Sequence, residues 1–319
     1  MIDAQYSPFR ACPELVSGGL GGRNKNYKNM KNIIVGLGEI LWDLLPGGKV
    51  LGGAPANFAY QTSQFGFEGY AVSAIGKDAL GDEIIESLSS KSLNHKIERV
   101  DFPTGTVQVT LDGKGIPQYE ICENVAWDNI PFTADIENLA RKASTVCFGS
   151  LAQRSEVSHK TILRFLELLP EDALKVFDIN LRQHFYSKEI IDNSLKHSNI
   201  LKINDDEVVI VAELYGWNGL KEAEICRKLV EMYHLKLVIL TKGTNGSYVI
   251  TSGEEFFRPT PIVTVADTVG AGDAFTAGFV ASLLRGKTIP EAHKTAVDVS
   301  AFVCTQHGAM PVLPDTLIN

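Results

Sequence analysis

Asp273 directly follows three small residues, Gly270, Ala271 and Gly272, and opens the apolar run Ala274 to Leu284. Small residues at a helix start leave backbone N–H groups able to converge on an anion, with the positive end of the helix dipole behind them. A carboxylate beside such a pocket repels phosphate unless it has another task. Taking a proton from an attacking hydroxyl is such a task. Asp is also favoured in the first turn of any helix. The three small residues ahead of Asp273 favour a general base next to an anion hole.

Three further stretches carry chemistry. Leu51-Gly52-Gly53-Ala54-Pro55-Ala56-Asn57 pairs two glycines with an amide side chain that can both donate and accept. It suits a small polar ligand, or an ordinary Gly-rich turn into a helix. Asn204 and Glu207 stand three apart after a short apolar strand, Ile200 to Ile203. They could organise a hydrated Mg²⁺, or simply form a capping box, and the spacing weighs both equally. Thr241-Lys242-Gly243-Thr244-Asn245-Gly246 lies between two strands, as a nucleotide-facing turn or a hairpin.

Other patterns fail on inspection. Gly286-Lys287-Thr288 resembles the end of a P-loop, but position 281 is Ala and the segment follows a helix. Gly36-Leu37-Gly38 lacks the third glycine of a dinucleotide fingerprint, since position 41 is Leu. The histidines have no metal spacing, and the cysteines form no CxxC pair, which points to reduced thiols in a cytoplasmic protein.

These residues must be positioned by a scaffold. Ile33 to Val35, Tyr70 to Ile75, Thr145 to Phe148, Ala173 to Ile179, Ile200 to Ile203 and Lys236 to Thr241 read as strands. Helical stretches separate them, including Pro55 to Gln64, Asp82 to Ser90, Ser158 to Leu169 and Lys221 to His234. Thr276 to Leu284 and Ile289 to Gln306 are the final helices. Strands alternating with helices predict an α/β fold with a mostly parallel sheet covered on both faces. In such sheets ligands bind beyond the C-terminal strand ends, where Asp43, Asn180, Asn204 and Gly243 fall. Thr106 to Leu111, a turn at Asp112 to Gly115, and Gln118 to Cys122 form a local β appendage. Residues 1–30, rich in Gly and Asn, read as a disordered extension, leaving 31–319 as one domain. The net charge of −8 argues against a nucleic-acid or anionic-membrane binder. No apolar run is long enough to span a bilayer.

The four motifs, in this order, resemble the ribokinase-like, or PfkB, family of carbohydrate kinases, from about Lys31 to Pro314. GGAPAN resembles the family's N-terminal signature and DTVGAGDAFTAGF its highly specific C-terminal one. NDDE matches its N-x-x-E pattern, and TKGTNG its nucleotide-side turn. GEILWDLLP, LGGAPANFAY and FDINLRQHFYS look most like bacterial fructokinases. Phosphofructokinase-type members usually read GGKGAN, a departure that counts against a sugar-phosphate substrate.

The resemblance implies a ribokinase-like three-layer α/β/α fold with a small β lid, built from about residues 43–56 and 103–130. It implies phosphoryl transfer from ATP to a sugar hydroxyl, most simply fructose to fructose 6-phosphate. Asp43, Gly53 and Asn57 would bind sugar hydroxyls, and Arg182 would approach the sugar or the phosphates. Asp273 would be the base, and Gly270, Ala271 and Gly272 the anion hole. Asn204 and Glu207 would organise the phosphates and Mg²⁺ through water, and Thr241, Gly243 and Gly246 would line the ATP site. Some members bind K⁺ near residues matching Asp267 and Gly308. Pairing of lids implies a homodimer. Alternatives are a 2-keto-3-deoxygluconate, ribose or nucleoside kinase, or a non-catalytic sugar- or nucleotide-binding regulator; a nicotinamide dehydrogenase is the outsider.

Overall fold

The short apolar segments become buried strands, and the amphipathic ones between them become helices. The computed structural model describes residues 32–45, 47–111 and 117–319. The expected extension at 1–30 and the turn at Asp112 to Gly115 lie outside the described residues.

In chain order, β1 (Ile33–Leu37) is followed by β2 (Leu41–Leu45), β3 (Gly48–Gly52) and α1 (Ala54–Ser63). Next come β4 (Glu68–Gly76), α2 (Ala79–Ser90), β5 (Asn94–Val100), β6 (Thr106–Leu111) and β7 (Pro117–Ile121). The middle holds α3 (Ala134–Ala140), β8 (Ala143–Phe148), α4 (Glu156–Leu168), β9 (Leu174–Asp178) and α5 (Lys188–Lys196). Then follow β10 (Ile200–Asn204), α6 (Asp205–Tyr215), α7 (Glu222–Tyr233), β11 (Leu237–Thr241), β12 (Ser247–Ile250) and β13 (Glu255–Arg258). The chain closes with α8 (Ala271–Leu284), α9 (Ile289–Cys304) and α10 (Asp315–Ile318).

Nine strands form one sheet in the order β13-β12-β11-β10-β9-β8-β1-β4-β5. The run from β11 to β5 is parallel throughout, and only the pairings of β12 are antiparallel. The strands are apolar on both sides because both sides are covered. Val35, Phe177, Leu201 and Val238 pack with Ile136, Phe165, Leu195, Val211 and Leu229 from α3 to α7. Their neighbours Ile34, Val176, Ile200 and Ile239 point the other way, against Phe58, Phe279 and Ala296 of α1, α8 and α9. Period-two alternation thus builds the α/β/α sandwich.

The chain runs from β1 outward to β4 and β5, then returns to β8 on the other side of β1. This reversal makes a crevice beyond the C-terminal ends of β1 and β8. A second sheet, ordered β3-β2-β6-β7, stands beside that end. Trp42, Asp43 and Leu44 pair in parallel with Thr106, Val107 and Gln108. The small sheet therefore uses residues 41–45, 48–52, 106–111 and 117–121. Residues 54–56, expected in the lid, open α1 instead, and Trp127 is fully buried in the main core. Helix α8 starts at Ala271 with Gly270 as its N-cap and Asp273 in its first turn, as the small residues predicted, so the stretch Thr276 to Leu284 is only its later part. Among the described residues no helix is long and apolar enough to cross a membrane, and Cys122, Cys147, Cys226 and Cys304 are free thiols.

Candidate active site

Two loop-to-helix junctions face each other across the crevice. In the first, Gly53 precedes α1 with φ 124°, and a Cβ there would lie 2.6 Å from the Glu39 carbonyl oxygen. Only glycine lets this backbone pass so close to the end of β1. Pro55 pre-shapes the first turn of α1, which buries Asn57 to 3% exposure.

In the second, Gly270 caps α8 with φ 76°, and a Cβ there would sit 2.4 Å from the Ala309 Cβ. No side chain caps this helix. The Ala271 amide donates to the Thr268 carbonyl at 3.2 Å. Among the described residues, the amides of Gly270, Gly272 and Asp273 have no protein acceptor. The available donors therefore differ from the expected trio by one place, with Asp273 N–H replacing that of Ala271. Unpaired amides at a helix N-terminus are the physical basis of anion binding.

The two junctions meet through one bond. Asn57 Nδ2 donates to Asp273 Oδ2 at 2.8 Å. Asp273 is half-buried. Burial, reinforced by the charge of Asp178, raises its pKa to about 6, against the pull of Asn57, Lys202 and Arg182. A carboxyl at that value is a basic carboxylate that is still mostly ionised at neutral pH. Asp273 is thus a first-turn residue whose carboxylate is more basic than usual.

Asp43 sits on β2 of the small sheet, and burial raises its pKa while the Arg182 charge opposes the rise. Arg182 is exposed and acts electrostatically on Asp43, Glu39 and Asp273 alike. Thr241 ends β11 directly opposite Asn204 in the parallel register. Gly243 and Gly246, at φ 51° and 93°, turn the chain into β12, so the TKGTNG stretch is a hairpin at the C-terminal end of β11. Thr260 Oγ1 donates to the Gly243 carbonyl at 2.6 Å and braces it.

Asn204 and Glu207 form the capping box. Asn204 Oδ1 accepts from Glu207 N at 2.8 Å, and Glu207 Oε2 accepts from Asn204 N at 2.9 Å. Glu207 Oε1 accepts from Leu181 N at 2.9 Å. Both Glu207 oxygens are thus held by amides, and the side chain is 6% exposed. Among the described residues no group of three or more His, Cys, Asp or Glu is arranged to hold a metal ion. A Mg²⁺ that keeps its waters and is carried mainly by phosphates is compatible with this donor set. Asp267 also serves the backbone, its two oxygens accepting from Val269 N at 3.0 Å and Gly308 N at 3.1 Å. Burial would raise its pKa, but those amides outweigh it and hold the carboxyl below its usual range.

Sequence reasoning missed Glu39, Asp178 and Lys202. Asp178 and Lys202 are register partners on β9 and β10, and Lys202 Nζ donates to Asp178 Oδ1 at 3.0 Å. A readable signal existed: opposite charges interrupt two adjacent buried strands. Glu39 is 4% exposed just past β1, its Oε2 has no partner, and its pKa rises to about 7, chiefly through burial. Glu39, Cys147, Asp178, Asn180 and Asp273 line a pocket of about 10 Å³, room for roughly one water.

The model of the pfkB family carbohydrate kinases matches residues 47–316. An ATP-dependent 6-phosphofructokinase of Thermoanaerobacterium thermosaccharolyticum is 29% identical, covering 84% of this chain and 83% of its own. A fructokinase of Salmonella typhimurium is also 29% identical, covering 87% and 95%. Among solved structures, an uncharacterized sugar kinase from Pyrococcus horikoshii aligns with TM-score 0.75 and 26% identity, over 88% of this chain and 94% of that one. A fructokinase from Vibrio cholerae with bound fructose, ADP and calcium ion shares the fold at TM-score 0.74 and 22% identity, covering 90% and 98%.

Proposed function

Because the chain belongs to the pfkB family of carbohydrate kinases, we propose that it transfers the γ-phosphoryl group of ATP to a hydroxyl of free fructose. The observation that carries this reading is the 2.8 Å bond between Asn57 and Asp273. It joins the Gly-rich start of α1 to a carboxylate that stands beside unpaired amides.

In this reading Asp43, Gly53 and Asn57 hold sugar hydroxyls, and Arg182 screens the carboxylates while approaching sugar or phosphate. Asp273 takes the proton of the attacking hydroxyl. That oxygen bonds to the γ-phosphorus as the bond to the β–γ bridging oxygen breaks, and ADP leaves. The amides of Gly270, Gly272 and Asp273 receive the charge on the phosphoryl oxygens. Such preorganised donors act mainly by positioning and electrostatics. Thr241, Gly243, Gly246 and Asn204 hold the nucleotide. Asn204 and Glu207 would hold Mg²⁺ through water, and the ion would supply positive charge to offset that of the phosphates. The small sheet acts as a lid that excludes water during transfer. Its exposed Leu45 and Val50 give two such sheets an apolar face for a homodimer, which sedimentation velocity tests.

Fructose leads because the Salmonella relative is a fructokinase, a fold neighbour binds fructose, and the chain reads GGAPAN rather than GGKGAN. Fructose 6-phosphate is the second reading, favoured by the phosphofructokinase relative of equal identity. ADP release across fructose, fructose 6-phosphate, ribose, 2-keto-3-deoxygluconate and a nucleoside tests both. The highest kcat/KM is expected on fructose. A higher value on any other acceptor overturns the substrate, and no ADP with any acceptor favours a binding regulator.

A further inference from the structure

We infer that the buried Asp178–Lys202 pair is a positioning device for phosphoryl transfer, supporting the first turn of α8 from below and setting the charge around Asp273. The inference rests on the reading of Asp273 as the base.

The geometry is specific. Asp178 is 5% and Lys202 8% exposed, and they face one another across β9 and β10 as register partners. A Cβ on Gly272 would come within 3.2 Å of Lys202 Nζ, so the ammonium lies against the turn that carries the unpaired amides. Thr276 completes the support. Its Oγ1 donates to the Gly272 carbonyl at 3.1 Å and approaches Asp178 Oδ2 at 3.3 Å. Strand β9, strand β10 and the start of α8 are thereby locked into one unit. A lysine in a buried strand has no packing advantage over Met or Leu, and burying a charge is costly unless it is paired. Its position here puts one positive charge under the site where the transferring phosphoryl group becomes most negative.

The charged groups around Asp273 come from every packed element. Lys202 lies on β10, Asp178 on β9, Glu207 on α6, Glu39 beyond β1 and Arg182 beyond β9, with the Cys147 thiol on β8. The Asp178 charge raises the Asp273 pKa, whereas Lys202 and Arg182 lower it. The two members of the pair therefore act on the base in opposite directions. A purely mechanical brace would not do this.

The test is the pH dependence of kcat/KM for the sugar in the full-length enzyme. The comparison uses wild type, Lys202→Met, Asp178→Asn and the double variant. The acid limb reports the free enzyme's essential base. Asp273 works ionised, so raising its pKa moves the limb to higher pH. Lys202→Met is expected to move it up by about one pH unit, and Asp178→Asn down by about as much. The double variant, which leaves no unpaired charge, is expected to return near wild type and covers the case in which a single variant misfolds. Variants that lose activity equally at all pH values, or whose limbs move the same way, overturn the inference. Asp273→Asn run alongside separates it from its premise. Retained turnover there overturns the base itself, while lost turnover with unmoved limbs elsewhere overturns only the role of the pair.

Discussion

Among the described residues two ion pairs are buried, and they are built differently. Arg154 and Asp128, 7% and 6% exposed at the side chain, meet through two parallel bonds of 2.8 and 2.9 Å. The guanidinium also donates to the Cys122 carbonyl at 2.6 Å and stacks on Trp127 and Phe185. Val125 N donates to the same carboxylate. This pair ties the end of the small sheet to the main core, with Arg154 Nη1 and the neighbouring Trp127 Nε1 left without hydrogen-bond partners among the described residues. Lys202 and Asp178 meet through a single 3.0 Å bond, below three unpaired amides and beside the orphan oxygen of Glu39. The fork-shaped partner is used where rigidity is needed. The point charge is used where a field must reach a neighbouring group. Burial of charge alone thus does not identify an active site. What surrounds the pair does.

The largest expected effect bears on what the second pair serves. Asp273→Asn should lower kcat by roughly 10³-fold, within the range for a lost general base, while ATP binding measured by calorimetry stays within a few-fold. The same variant should not lower thermal stability. The Asp273 pKa rises from 3.8 to about 6 on folding. Keeping that proton therefore favours the fold at low pH, and the advantage is lost as pH rises through about 6. A neutral amide escapes that cost at pH 7, so the melting temperature of Asp273→Asn should equal or exceed that of wild type. A marked fall would mean that Asp273 is mainly a structural helix-start residue.

Arg154→Leu should act the other way round. Removing one partner from a buried pair costs about 3–5 kcal/mol, read as a lowered urea midpoint, yet the acid limb of kcat/KM should stay in place in the folded enzyme. A displaced limb would erase the contrast between the two pairs. In wild type that limb should fall near pH 6, the Asp273 value, with activity dropping about tenfold per unit below it. A flat profile down to pH 5 would contradict the tuning. The smallest effect is at the capping box. Asn204→Ala should cost about 1 kcal/mol of stability and raise the KM for ATP modestly; unchanged KM would make the box purely a cap.

Local features were the most legible. Gly270 to Asp273 and Asn204 to Glu207 are helix starts, and a helix start is encoded within four or five residues. Strand periodicity likewise revealed the layered fold. The contacts that join the site were not legible, because they depend on long-range register. Asn57 and Asp273 are 216 positions apart. Asp178 meets Lys202 only because β9 and β10 pair in one particular register, and a one-residue slip of either strand would put the two side chains on opposite faces. The small sheet could be located roughly from its segments, but the parallel pairing of β2 with β6 could not. Its expected edges consequently ran past the sheet at 56, 103 and 130 and began two residues late at 43.

The central claim is that Asp273 is the base of a sugar kinase whose anion hole lies at the start of α8. Sugar-dependent ADP formation by wild type and Asp273→Asn, measured side by side at pH 7.5 with both proteins shown to bind ATP, tests it most directly. The account predicts sugar-dependent turnover in wild type and a loss of about three orders of magnitude in the variant. Comparable turnover in the two proteins would contradict it.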